Sequence, residues 1–159
     1  MAKSKKPKGN IEIINRKAKY EYHFLAEIEV GITLTGTEIK SVRAGEVNLK
    51  DAYCLFTKEG ELILKSMFIA EYKYGNQNNH ETRRDRKLLL RKPELRKLQK
   101  KVKEKGYSIV PYRMYIGERG FAKVEIILGQ GKKSYDKRDS IKQRDNKREL
   151  DRVKKQYRV

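Results

Sequence analysis

The residues best equipped for chemistry in this chain are His23, His80, Cys54 and Glu29. A histidine near neutral pH can move a proton, and a thiolate can attack an electrophile. Neither has the company that catalysis needs. The two histidines lie far apart in sequence, and no group of His, Cys or Asp has metal-ligand spacing. Cys54 sits in the apolar run Tyr53-Cys54-Leu55-Phe56 and reads as a small buried hydrophobe. The expectation is therefore no enzyme, no metal and no cofactor. Glu29 is different. It stands two residues before Gly31, where a backbone without Cβ permits close approach. On a basic surface such a carboxylate can accept from the exocyclic amine of an unstacked base. An ordinary solvated strand glutamate is the competing reading.

The surface around it is basic in the extreme. Forty Lys and Arg against twenty-one Asp and Glu give a formal charge of +19 and a pI near 10.0. A polyanion is the expected partner, and ten tyrosines among the charges suit base stacking beside phosphate contacts. No apolar run reaches the ~20 residues of a membrane span, and the N-terminus lacks the apolar stretch of a signal peptide. A single cysteine fits a reducing compartment, so a cytoplasmic protein is expected. A structural protein of the ribosome would share this composition, and a basic nuclease is the enzymatic alternative.

The elements that must position these residues follow from periodicity. Tyr22, Phe24, Ala26, Ile28, Val30, Ile32 and Leu34 alternate with polar residues, which predicts a strand with Glu27 and Glu29 on its outer face. Thr35-Gly36-Thr37-Glu38 reads as a capping box opening a short helix. Ile39 and Val42 give that helix one apolar side, and Gly45 supplies a left-handed stop. Val47, Leu49, Tyr53 and Leu55 continue with a period of two. Residues 58–61 then join the apolar runs 51–57 and 62–69 as a hairpin. Within the basic stretch 83–105, Pro93 fits the first turn of a helix with a Leu95, Leu98, Val102 stripe that ends at Gly106. Leu88, Leu89 and Leu90 cannot all face inward on one helix, so one is expected to be exposed or in a turn. Two further strands, 107–116 and 121–128, flank the turn 117–120.

These elements predict a mainly β protein with short helices, an OB-like closed β-barrel with flanking helices and one plugged end. The domains expected are a disordered basic arm (1–10), the barrel (11–128) and a basic tail (129–159). The tail carries twelve basic and five acidic residues with few large apolar ones. It should be disordered when free and become helical when bound, because Asp139/Lys142, Asp145/Arg148, Glu149/Arg152 and Asp151/Lys155 sit at helical spacing. Leu150, Val153 and Tyr157 would share one stripe of that helix.

Four segments carry a resemblance. They are Asn15-Arg16-Lys17-Ala18, the string from Gly36 to Gly45, Arg86-Lys87-Leu88-Leu89-Leu90, and the string from Gly131 to Arg138. In this order, and with GTEIKS-x-RAG and GKK-x-x-DKR intact, the chain from Asn15 onward resembles the SsrA-binding protein family, the small protein B of bacterial trans-translation. The resemblance implies an OB-like barrel that binds the tRNA-like domain of transfer-messenger RNA (tmRNA) at its D-loop elbow. Protein and RNA then enter a stalled ribosome, the unfinished polypeptide is tagged for proteolysis, and no covalent chemistry is done by the protein. One monomer per RNA is expected.

Carried over position by position, the resemblance implies tmRNA contacts at Asn15, Glu29 and Leu89, with Arg86 and Lys87 beside them. For the decoding centre and messenger channel of the small ribosomal subunit it implies Gly131, Lys132, Lys133, Asp136, Lys137 and Arg138. Tyr135 among them is available to stack on a base, and Val153 of the helical stripe is expected further along the channel. One departure stands out. Thr82-Arg83 occupies the place where the family usually has a proline, which leaves the loop before Arg84 open.

Overall fold

The computed structural model describes residues 11–156. The basic arm expected at 1–10 and Tyr157 of the tail stripe lie outside the described residues. The chain begins with β1 (Glu12–Ile14), α1 (Arg16–Glu21), the long β2 (Tyr22–Ile32) and α2 (Gly36–Arg43). The short strands β3 (Val47–Asn48), β4 (Tyr53–Phe56), β5 (Leu62–Lys65), β6 (Phe68–Ile69) and β7 (Arg86–Leu89) follow. Helix α3 (Lys92–Lys105), strands β8 (Ser108–Ile116) and β9 (Ala122–Gly131), and helix α4 (Ser134–Gln156) complete it. The protein is mainly β with short helices around the sheet.

Strands neighbour one another in the order β1-β8-β4-β5-β7-β2-β9, and β9 pairs again with β8. Six strands thus form a ring of antiparallel pairings, with β1 added on the outer edge of β8. Inside lies one apolar cluster, including Val30, Leu62, Leu64, Leu88, Met114, Val124 and Ile126. Strand β2 alternates as its sequence predicts only from Ala26 to Ile32. A bulge between Phe24 and Ala26 reverses the phase, so Tyr22 and Phe24, expected on the face of Ala26 and Ile28, pack instead with Ala18, Val110 and Ile127 in a second cluster.

Helix α2 is built as its residues dictate. The Thr35 hydroxyl accepts from the Glu38 amide, and Glu38 Oε1 accepts from the Thr35 amide at 3.1 Å. At the other end Gly45 has φ +78°. Its amide donates to Val42 O and the Glu46 amide donates to Ser41 O, the paired bonds of a Schellman stop. Val42 is fully buried and Ile39 packs on the same cluster.

Glu38 does more than cap. It is fully buried, and its carboxylate meets Arg86 Nε and, at 2.6 Å, Arg84 Nη2. Arg86 is fully buried as well, and donates to Met67 O at 2.7 Å and Thr82 O at 3.2 Å. The segment around Thr82-Arg83 is therefore held from inside. The Ile69 amide also donates to Thr82 O at 2.9 Å, and Arg83 Nη1 donates to Ser66 O at 3.1 Å.

Two further expectations are corrected. The period-two phase does not run from Val47 to Leu55. A turn at 49–52, closed by the Ala52 amide on Leu49 O at 3.1 Å, shifts it by one. Leu49 is buried, Cys54 faces in, and Tyr53 and Leu55 face out. The body does not end at residue 128, because β9 pairs onward through Gln130 with His23 and Gly131 with Tyr22. Residues 134–156 form one 23-residue helix without a buried side chain. Its opposite charges at helical spacing and its lack of Gly and Pro favour that geometry. Among the described residues no helix is long and apolar enough to cross a membrane.

The buried ion pair makes two predictions. Burial pushes the Glu38 pKa up, but the Arg84 guanidinium, the Thr35 amide and Arg86 outweigh it and hold the carboxyl below its ordinary value of 4.5. Stability from this group is thus complete above that value and is lost as pH falls through the lowered folded pKa. Glu38→Gln should cost about 3–5 kcal/mol at neutral pH, since it strands buried cationic charge. It should also flatten the acid limb of a stability-versus-pH curve measured by denaturant unfolding.

Candidate nucleic-acid interface

Strand β7 decides which of its residues can meet a ligand. Its alternation sends Arg86 and Leu88 inward and Lys87 and Leu89 outward. Arg86 therefore drops out of the expected RNA contacts: its guanidinium is committed to Glu38 and two carbonyls in the interior. Lys87 stays on the surface and pairs with Glu61 at 2.7 Å. Leu89 is 53% exposed.

Leu89 lies opposite Gly31 of β2 in register. A Cβ on Gly31 would lie 3.4 Å from Leu89 Cβ, at the near limit of ordinary contact, so the leucine side chain covers the glycine. Two residues back on the same face stands Glu29, whose Oε1 accepts from Lys123 Nζ at 2.9 Å. The Tyr115 hydroxyl and then the Lys123 ammonium hold the Glu29 carboxyl below the usual range. In return, burial and the Glu29 carboxylate push Tyr115 up to about 12. Glu29 is thus an ionised acceptor beside an exposed apolar side chain. An open cleft joins them, lined by Glu29, Glu61, Lys87, Leu89, Arg91 and Arg96. Such a site can accept from a base amine, cover a sugar or base face, and meet phosphates.

Asn15 is not part of this cleft. It is buried, and it caps α1 by accepting from the Ala18 amide at 3.4 Å. Its Nδ2 donates to Leu49 O at 3.1 Å and Pro111 O at 3.0 Å. Both amide hydrogens are used inside the protein. Asn15 fixes where α1 leaves the sheet and lines a separate depression with Lys17, Lys50 and Tyr53.

The tail residues divide the same way. Gly131 closes the β2–β9 ladder, and Lys132 Nζ donates to Lys19 O at 3.2 Å and Ser140 Oγ at 3.0 Å. Asp136 Oδ2 accepts from the Lys133 amide at 3.3 Å and lies 3.3 Å from His23 Nε2. Lys137 Nζ sits 5.8 Å from the centre of the Tyr20 ring. These contacts seat the root of α4 on α1 and β2. Lys133, Tyr135, Arg138 and Val153 face solvent. His23 and Tyr20 carry no local signal for this role, because their partners lie more than a hundred residues away. Lys123 and Tyr115 beside Glu29 were also missed, although strand alternation puts them on an outer face. Cys54 is buried, and burial pushes its thiol pKa up, which removes it as a nucleophile.

Comparison with known proteins places the chain in a family. The SmpB protein family model matches residues 12–156. The SsrA-binding protein of Parabacteroides distasonis is 54% identical over 91% of this chain and 94% of its own length. That of Bacteroides thetaiotaomicron is 50% identical over 94% of this chain and 97% of its own. A solved structure described as "tmRNA-SmpB: a journey to the center of the bacterial ribosome" contains a chain of 46% identity and TM-score 0.66. That match covers 78% of this chain and 86% of the other. With its strings, its fold and its near-complete match all pointing the same way, the chain belongs to the SmpB protein family, that of the SsrA-binding proteins.

Proposed function

We propose that the chain binds the tRNA-like domain of transfer-messenger RNA and delivers it to stalled ribosomes for trans-translation. The observation that carries the reading is identity of about 50% to SsrA-binding proteins along nearly the whole chain. The geometry supports it with a carboxylate, an exposed leucine and flanking cations on one face. In this reading Glu29 accepts from a base or backbone donor in the RNA elbow, Leu89 packs on it, and Lys87 meets phosphate. Asn15 acts by positioning. The protein works by binding and placing RNA in the cytoplasm, as a monomer, without catalysing a reaction. The ring of strands is read as an OB-like barrel with α2 closing one end.

The tail serves the second half of the task. Its 23-residue helix reaches ~34 Å at the usual ~1.5 Å rise, long enough to enter an empty messenger channel. Lys133 and Arg138 would hold ribosomal RNA phosphates and Tyr135 would stack on a base at the decoding centre, with Val153 further down the channel. A helix whose contacts are confined to its root and that buries no side chain gains little packing energy, so we read it as marginal in isolation and fixed on contact with a polyanion.

Three outcomes check these roles. Glu29→Ala makes the protein more basic, so a purely electrostatic binder would tighten. Here binding to the tRNA-like domain should weaken about fivefold or more at two salt concentrations. Leu89→Asn should leave unfolding within about 0.5 kcal/mol of wild type, as for other surface changes, while the same titration shows weaker binding. Deletion of residues 134–159 should leave RNA binding within about twofold and abolish tagging on stalled ribosomes. Loss of binding to the free RNA in that deletion would overturn the division of labour.

A further inference from the structure

Between β6 and β7 the chain makes a polar loop whose order is not explained by the cleft or the tail. Asn79 pins it. Its Oδ1 accepts from the Tyr72 amide at 3.1 Å, and its Nδ2 donates to Tyr72 O at 2.9 Å and to Gly75 O at 3.4 Å. A Cβ at Gly75 would meet Asn79 Nδ2 at 2.7 Å, so the pin requires glycine there. The next residue, His80, is buried with Nε2 at 3.0 Å from Ile69 O and Nδ1 at 2.9 Å from the Thr37 hydroxyl of α2. Loop and helix therefore move as one unit.

That unit displays rings and cations in alternation. Lys40 Nζ of α2 stands 5.0 Å from the centre of the Tyr72 ring. Tyr74 meets Tyr72 edge-on at 5.6 Å and 70°, and Lys73 Nζ lies 5.8 Å from the Tyr74 ring. Tyr74 is 73% exposed. One turn beyond Lys40, Arg43 Nη2 donates to Gly120 O at 3.3 Å, beside the exposed Phe121. Phe121 in turn lines a hollow with Glu29, Tyr115 and Lys123. A strip of cations and rings thus leads from the Glu29 face across α2 to Tyr74.

We propose that Tyr74, backed by Tyr72, Lys40 and Lys73, is a stacking site for an unpaired base of the same transfer-messenger RNA that binds at Glu29 and Leu89. An aromatic face beside ammonium groups takes a base by stacking and its flanking phosphates by charge, without reading sequence. The pinned loop keeps the ordering cost of binding low. Continuity of the strip with the Glu29 hollow assigns the base to that RNA. The inference rests on the proposed RNA-binding function.

The test uses the full chain and the isolated tRNA-like domain of transfer-messenger RNA, titrated at two salt concentrations. Tyr74→Ala should bind about fivefold to a hundredfold more weakly, the span for removing one base–aromatic stack, with an unchanged melting temperature. Tyr74→Phe should bind as wild type does, and Lys40→Ala should reduce the salt slope by roughly one. If wild type binds this RNA tightly and Tyr74→Ala binds equally well, the stacking site is wrong and the proposed function stands. If Tyr74→Ala keeps full RNA affinity but loses ribosome association, the site belongs to ribosomal RNA and the assignment is equally overturned. If wild type shows no preference for this RNA over bulk tRNA, the underlying function fails with it.

Discussion

A carboxylate without solvent, held between two guanidinium groups, governs this molecule. Glu38 caps α2 from its first turn and reaches Arg84 and Arg86 across the body. Removing either charge from a buried pair costs more than the pair itself contributes, so the arrangement fixes geometry more than it adds stability. Its consequence is on the surface. With Arg86 drawn inside, the pleat sends Leu88 to the core and Lys87 and Leu89 to solvent. A one-residue slip of β7 would expose Arg86 and bury Leu89, and the buried Glu38 would lose its partner. The register that exposes Lys87 and Leu89 is thus enforced from within.

The second constraint is charge. At +19 the chain repels itself, and several of its carboxylates stand between cations. Glu29 faces Lys123, Glu61 faces Lys87, and Arg113 bridges Glu12 and Glu125. Such exposed pairs contribute only ~0–1 kcal/mol each, so a phosphate can take over the lysine at little cost. The pairs hold long side chains in place without binding them tightly. At Glu29 the Tyr115 hydroxyl and the Lys123 ammonium together favour the ionised carboxylate.

Local features of the fold were legible because their physics is local. The alternation of β2 from Ala26 onward, the capping box at Thr35–Glu38, the Gly45 stop and the turns at 58–61 and 117–120 all rest on neighbours within a few residues, whereas the bulge that turns Tyr22 and Phe24 away leaves no mark on the pattern. Strand β7 was hidden because four residues are too few for a periodic signal, and a basic run with three leucines imitates a helix flank. Arg86 could have been placed inside only by seeing that it shares parity with Leu88. Asn15 was legible as a family position but not as a cap that spends its amide on Leu49 and Pro111. The phase change at 49–52 and the His23–Asp136 contact depend on turns and on partners far along the chain, which periodicity does not report.

In the proposed binding mode RNA is held by the Glu29–Leu89 face and not by the lysines in the second half of α3. A photo-cross-linking amino acid in place of Leu89, and in a second version in place of the exposed Lys100 of α3, separates the two directly. With the tRNA-like domain of transfer-messenger RNA bound at physiological salt, the account predicts cross-links from position 89 to a defined segment of the RNA elbow and few from position 100. Equal yields from both, or a stronger yield from position 100, would contradict it.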